Sequence, residues 1–482
     1  MVELKPKIVF DIFSQINQVP RPSKHEEKMV EFLRQFAVSR NLPFKTDEVG
    51  NVLISKAATP GMEHCPTVVL QGHMDMVCEK NNDVEFDFLH DAIQTCIDGE
   101  WMKAKGTTLG ADCGIGDAIA LAILEADDIQ HGPLECLFTK DEETGLTGAF
   151  AIQPGFMTGK YLINLDSEDE GQIFVGCAGG ANTMARFTCR MEKVPEGFFT
   201  MKVKIDNLCG GHSGDDIDKK RANANKILAR FLYQIMFKYD FLLTEIDGGN
   251  LHNAIPREAH AVFSVPSDVK EQVRADLNVF ASAVEEEYSV TEPSLRITLS
   301  SAPLAEMAIE KDVAERLVMA LQAVDNGILA MSQDIEGFVE TSSNLASVKM
   351  RDGAVFVESS QRSSILSARV NASDTVAAVF RLAGAEVSTG EGYPGWKPDP
   401  QSVLLKVAVE SYKRLFGKEP VVRAIHAGLE CGLFSEKYPG LDMISFGPTL
   451  RGVHSPDERL LIPTVQMVWV HLLDILKNIP EN

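Results

Sequence analysis

The feature that most restricts this chain is a set of short apolar runs that each lead onto ionisable residues. Leu134-Glu135-Cys136-Leu137-Phe138-Thr139 passes directly into Lys140-Asp141-Glu142-Glu143-Thr144-Gly145. Thr67-Val68-Val69-Leu70-Gln71-Gly72 leads to His73-Met74-Asp75, Tyr161-Leu162-Ile163-Asn164-Leu165 leads to Asp166, and Met443-Ile444-Ser445-Phe446-Gly447-Pro448 precedes His454. Such runs predict buried strands, and a helical stretch around Gly148 to Ile152 separates two of them. The predicted fold class is α/β, with a mainly parallel, doubly wound mixed sheet, and ligands of such sheets gather at the carboxyl ends of the strands. Adjacent glutamates at a strand end repel each other unless a cation lies between them. A solvated acidic turn accounts for the triplet taken alone. Carboxylates and imidazoles converging from several strand ends are what a pair of hard-to-borderline metal ions requires.

A chain of 482 residues is too long for one ordinary core, so at least two domains are expected. Lys+Arg 46 against Asp+Glu 69 gives a formal charge of -23, which argues against nucleic-acid or membrane partners and for small substrates. The 9 cysteines are an odd number without a C-x-x-C pair, and read as free thiols in a reducing compartment, with the cytoplasm expected. Met1-Val2-Glu3-Leu4-Lys5-Pro6-Lys7 has no apolar leader core, and no apolar stretch is long enough to span a bilayer.

In chain order, an amphipathic helix carrying Val9, Phe10, Ile12, Phe13 and Ile16 stops at Val19-Pro20-Arg21-Pro22, and Ser23 with Glu26 forms a capping-box pattern for a second helix to about Arg40. Phe44 to Ile54 reads as a strand pair. The glycine-dense Gly106 to Gly116 segment has neither phosphate-binding frame, and is expected to present Asp112 ahead of a helix from Asp117 to Glu125. After Gly176-Cys177-Ala178-Gly179-Gly180 the texture becomes that of an α+β insert. Helix-like Val376 to Ala385 then precedes a hinge at Gly390 to Trp396. The expected division is a catalytic domain in two parts, 1–185 and 387–482, around a lid and dimerisation domain, 186–386.

These motifs together resemble the bacterial aminoacyl-histidine dipeptidases, also called cytosol non-specific dipeptidases, within the di-zinc aminoacylase and carboxypeptidase-like metallopeptidase superfamily. His73-Met74-Asp75, Gly110-Ala111-Asp112, Asp141-Glu142-Glu143, Asp166-Ser167-Glu168 and Pro456-Asp457-Glu458 beside His454 stand in that family's order, and five such motifs with matching spacing are specific where one would be weak. The resemblance implies two zinc ions per subunit, with cobalt or manganese as possible substitutes: His73 and Asp166 on one, Glu143 and His454 on the other, Asp112 bridging. It also implies a cis peptide at Asp112-Cys113. Asp75, two residues after His73, shares its face in extended chain and can accept the outward imidazole N–H. Glu142 and Glu143 point apart in extended chain, so one can bind metal while Glu142 serves as general base toward a water whose pKa zinc lowers to roughly 7.

Within the insert, Gly210-Gly211-His212-Ser213-Gly214 and Asn253-Ala254-Ile255-Pro256-Arg257 resemble lid motifs. The resemblance implies that His212 stabilises the oxyanion, in cis or in a dimer partner's site. It further implies that Asn253 holds the substrate backbone, Arg362 clamps a free carboxylate, and Gly428 with Glu430 lines the pocket through backbone groups. A turn residue at His212 and an ion-pair partner at Arg362 are the plain alternatives. The implied activity is dipeptide hydrolysis, on Xaa-His and broader dipeptides, by a cytoplasmic homodimer. Deacylase or aminopeptidase action on the same scaffold, or a non-catalytic scaffold, are its rivals.

Overall fold

A computed structural model describes residues 3–481. The chain divides into two units: one takes the segments up to Gly176, Trp396–Ala424 and from Leu429 on, the other Cys177–Gly395 and Ile425–Gly428. The expected boundary at 185/186 falls inside the strand Gly179–Thr188, and the division lies ahead of that strand.

The first unit is built on an 8-stranded sheet in the order Phe44–Thr46, Val52–Lys56, Leu134–Thr139, Val68–His73, Tyr161–Asn164, Asp442–Ser445, Gln172–Cys177, Val421–Ile425. Parallel pairing is confined to the middle, where Leu134–Thr139, Val68–His73, Tyr161–Asn164 and Asp442–Ser445 lie side by side. Val52–Lys56 joins one flank antiparallel, and Gln172–Cys177 meets the other flank antiparallel. The sheet is therefore mixed, with a parallel centre, and less parallel than the sequence suggests. Those central strands are buried on both faces, which is why they read as unbroken apolar runs. Helix Ala111–Glu125, apolar almost all round, packs beside Val68–His73. Gly72 makes that approach possible: a Cβ there would stand 2.6 Å from Asp117 Oδ1 and 3.0 Å from Cys113 Sγ. A second, 4-stranded sheet of Leu450–Arg451, Arg459–Leu461, Trp101–Ala104 and Thr95–Asp98 ties the C-terminal segment to the chain ahead of Asp112.

The second unit carries a 9-stranded sheet whose registers are all antiparallel, centred on the long hairpin Val339–Arg351 and Ala354–Ser363. Helices Ala224–Met236, Lys270–Glu287, Lys311–Ala323 and Leu366–Leu382 accompany it, and Val203, Phe231, Phe263, Val284, Leu317 and Phe380 lie in its apolar core. This is the α+β texture read from the alternating strands.

Several local expectations are corrected. Ser23 does not cap a helix: its hydroxyl donates to Asp75 Oδ2 at 2.7 Å, Glu26 accepts from the Lys24 N–H at 2.7 Å, and the helix runs Glu27–Ser39. The hydroxyl is drawn to the Asp75 carboxylate by a charge-assisted bond, and no side chain caps the helix. Glu142 and Glu143 are not extended but form the one-turn helix Glu142–Gly145. The helix expected over Val376 to Ala385 spans Leu366–Leu382, and the one expected from Asp117 starts directly after the non-helical residues Asp112 and Cys113. Among the described residues, no helix is long and apolar enough to cross a membrane.

Candidate active site

In the first unit, strand ends and one hairpin tip gather the ionisable side chains. His73 closes Val68–His73, Asp166 follows Tyr161–Asn164, and the turn Glu142–Gly145 follows Leu134–Thr139. Asp112 lies in the first turn of Ala111–Glu125, where the peptide Asp112-Cys113 is cis. His454, with φ 60°, sits between the hairpin strands Leu450–Arg451 and Arg459–Leu461.

These side chains form two triads that share one carboxylate. His73 Nε2 lies 3.1 Å from Asp112 Oδ1 and 3.2 Å from Asp166 Oδ1. His454 Nε2 lies 3.2 Å from Asp112 Oδ2 and 3.1 Å from Glu143 Oε2. Each oxygen of Asp112 thus faces a different imidazole. Glu142 joins His73 and Glu143 as a group whose candidate ligand atoms lie within 4.8 Å of one another.

Asp75 organises the other side of His73. Its Oδ1 is 3.3 Å from His73 Nδ1 and accepts the Glu142 N–H at 3.0 Å, while Oδ2 accepts the Glu143 N–H at 3.2 Å. One carboxylate therefore orients the imidazole and satisfies the exposed amides at the start of the glutamate turn. Arg21, fully buried, donates to the carbonyls of Asp75 at 3.0 Å and Gly110 at 2.6 Å, tying the His73 loop to the Asp112 loop. Glu458 accepts the N–H groups of Leu109, Gly110, Ala111 and Asp112 at 2.7, 3.0, 2.8 and 3.3 Å. Four amides aimed at one carboxylate fix the backbone that carries Asp112.

The electrostatics are those of crowded acids. Burial, reinforced by Asp166, Glu143 and Glu430, holds the Glu142 carboxyl well above its ordinary range against the pull of His73. Burial pushes Glu168 up to about 8, with Asp112 and Asp166 adding to it, and Glu430 likewise up to about 8. Asp112 stays well below the carboxylate range despite its burial because both histidines face it. Glu143 Oε1 and Glu430 Oε1 are buried with no hydrogen-bond donor. Orphaned carboxylate oxygens, neighbouring imidazole nitrogens and carboxyls that hold protons for want of positive charge fit a pair of divalent cations; dications in their place would return these acids to the ionised form.

Sequence reasoning left several of these groups without a role. Glu430, read from the sequence for its backbone groups, also has a buried side chain, which accepts from Gln71 Nε2 at 2.6 Å and Thr139 Oγ1 at 2.7 Å. Glu168, Glu458, Arg21 and the buried Asp117 have no role in the sequence reading. The one signal available for Glu168 and Glu458 was their place in motifs otherwise spoken for.

In the second unit, Gly211 and His212 pair antiparallel with Ile255 and Ala254, and Ser213 N–H donates to Asn253 O at 2.8 Å, so the His212 loop and the Asn253 segment form one structure. His212 Nδ1 accepts the N–H groups of Gly214 at 3.3 Å and Asp215 at 3.1 Å, closer than the Asp215 carboxylate at 3.9 Å. The ring proton is accordingly on Nε2. Arg362 is buried, its Nη1 donating to Tyr393 Oη at 3.0 Å. Gly428 packs against the ring of Tyr393.

The chain belongs to peptidase family M20/M25/M40, whose model matches residues 69–477. It is 43% identical over 480 residues to the cytosol non-specific dipeptidase of Escherichia coli strain K12, covering 100% of this chain and 99% of that protein. It is also similar to the crystal structure of aminoacylhistidine dipeptidase from Vibrio alginolyticus, with TM-score 0.91 and 42% identity over 99% of this chain and 98% of that one. The aminopeptidase PepT of Bacillus cereus shares the fold, with TM-score 0.61 and 15% identity over 99% of each chain.

Proposed function

We propose that this protein is a cytoplasmic metallo-dipeptidase that hydrolyses dipeptides of broad sequence, Xaa-His among them, with two zinc ions per subunit. The observation that carries the reading is the sharing of Asp112: its two oxygens face His73 and His454 separately, each histidine with a further carboxylate, Asp166 or Glu143. His73, Asp112 and Asp166 would hold one ion and His454, Asp112 and Glu143 the other; cobalt or manganese suits the same oxygen-rich set. When bound, such ions lower the pKa of water and polarise a peptide carbonyl.

Glu142 then acts as general base and acid. Ionised beside the bound cations, it accepts a proton from the attacking water and delivers it to the amine that leaves. Asp75 keeps the His73 imidazole in one orientation and the glutamate turn in register. In the second unit, acting as a lid, His212 donates a hydrogen bond from Nε2–H to the oxyanion, Asn253 takes the substrate backbone, and Arg362 with Gly428 receives the free carboxylate. The working assembly is a homodimer in which His212 serves the partner's site.

A panel of dipeptides, including Xaa-His, amine-blocked and tripeptide substrates, assayed with the zinc-loaded protein tests the assignment. Free dipeptides should be turned over well ahead of the others. Preference for blocked amines would make the protein a deacylase, preference for tripeptides an aminopeptidase, and zinc binding without any turnover a scaffold.

A further inference from the structure

The second unit contains two buried arginines with opposite fates. Arg369 is spent on the backbone: its guanidinium donates to the carbonyl of Gly180 at 3.1 Å, to that of Glu391 at 3.3 Å and to that of Tyr393. Arg362, 5% exposed, has one protein partner, the Tyr393 hydroxyl, and its buried Nε has none; among the described residues it forms no ion pair. A buried guanidinium without a counter-charge is costly unless something anionic arrives. The neighbouring imidazole of His426 does not provide it, being bonded to Ser342 Oγ at 2.7 Å and held neutral by burial and by Arg362 itself.

Tyr393 is seated with unusual care for a residue that merely braces an arginine. Its N–H donates to Gly180 O at 2.9 Å and its carbonyl accepts from Gly180 N–H at 3.1 Å. Its ring lies between two glycines. A Cβ on Gly180 would stand 2.7 Å from the hydroxyl oxygen, and a Cβ on Gly428 2.8 Å from Cε2. Gly180 is also the register partner of Arg362 across the sheet, so the missing side chain there is what lets the ring reach the guanidinium. The hydroxyl oxygen accepts from Arg362, leaving its proton without an acceptor among the described residues. The residue is only partly buried.

We infer that Tyr393 is a carboxylate-binding residue of the dipeptide site: its hydroxyl, polarised by Arg362, donates its proton to the substrate's terminal carboxylate while the guanidinium supplies the charge. This rests on the dipeptide reading above and adds to it a donor that selects free acids over amides. It also gives Gly428 a second reason to be glycine, since any side chain there would unseat the ring.

Calorimetric titration of metal-loaded Glu142→Gln protein with Ala-His and with Ala-His amide tests this without needing turnover. The acid should bind more tightly than the amide. Tyr393→Phe should weaken the acid by on the order of tenfold to a hundredfold, the range for one hydrogen bond to a charged group, and leave amide binding where it was. Gly428→Ala should erode the same preference through the displaced ring, with Arg362 intact. Survival of the acid preference in Tyr393→Phe, or equal weakening of acid and amide, would overturn the inference. Hydrolysis by the wild-type protein tests the peptidase assignment separately, so failure of one is distinguishable from failure of the other.

Discussion

Glu458→Gln is the change that separates the bridging geometry from the bridging residue. The Glu458 carboxylate is 2% exposed and faces four backbone donors, two on each oxygen. Whichever oxygen becomes the amide nitrogen, two N–H groups lose their acceptor and meet a donor instead. At about 1–3 kcal/mol for each orphaned buried donor, the loop from Leu109 to Asp112 is destabilised by about 2–6 kcal/mol. Asp112 moves with it, and a shift in a group that supports a metal ligand typically weakens binding by about 10–100-fold. Chelator competition should therefore show weaker metal binding in Glu458→Gln, accompanied by earlier denaturation of the metal-free protein. Asp457→Asn, whose carboxylate makes no hydrogen bond among the described residues, should change neither. Metal affinity and denaturation both unchanged in Glu458→Gln would refute the claim that this carboxylate holds Asp112 in place.

Three further outcomes are expected. His471, bonded to Ala408 O at 2.8 Å, has its pKa pushed down to about 4 from the ordinary 6.5, chiefly by burial. The folded state thus binds fewer protons than the unfolded state between those values, so stability falls as pH drops from 6.5 and the loss, about 3 kcal/mol, is complete below 4. Denaturant titrations at several pH values should show a shallower acid loss in His471→Gln. All 9 cysteines are free thiols, so reductant should leave the melting temperature and activity unchanged, and a fall in either would contradict the structure. Co-expression of Glu142→Ala and His212→Ala subunits, each inactive alone, should restore activity if His212 serves the partner's site; verified heterodimers that stay inactive would place it in cis.

Much of the first unit was legible because its chemistry sits at strand ends. Buried parallel strands must be apolar throughout, so an abrupt His73, Asp166 or Glu142-Glu143 stands out against its own run. The strand pair at Phe44 to Ile54 was legible, but its antiparallel docking on Leu134–Thr139 was not, since Val52-Leu53-Ile54 is apolar whichever way its neighbour runs. Ser23 misled because a capping-box pattern is local, whereas its partner Asp75 lies fifty-two residues on. Glu430 and Glu458 were obscured for a related reason: a carboxylate that accepts buried amides or hydroxyls has no sequence signature, only a position. Tyr393 carries the same lesson in the second unit. Its seat is made by glycines more than two hundred residues before it and thirty-five after it, each unremarkable alone.

If Asp112 is shared by two cation sites, metal analysis of the fully reconstituted protein will count both. Two divalent ions per chain are expected in the wild type and in Glu142→Gln, which should nonetheless have lost turnover, and fewer than two in His73→Ala and in His454→Ala. One ion or none in the reconstituted wild type would contradict the sharing of Asp112.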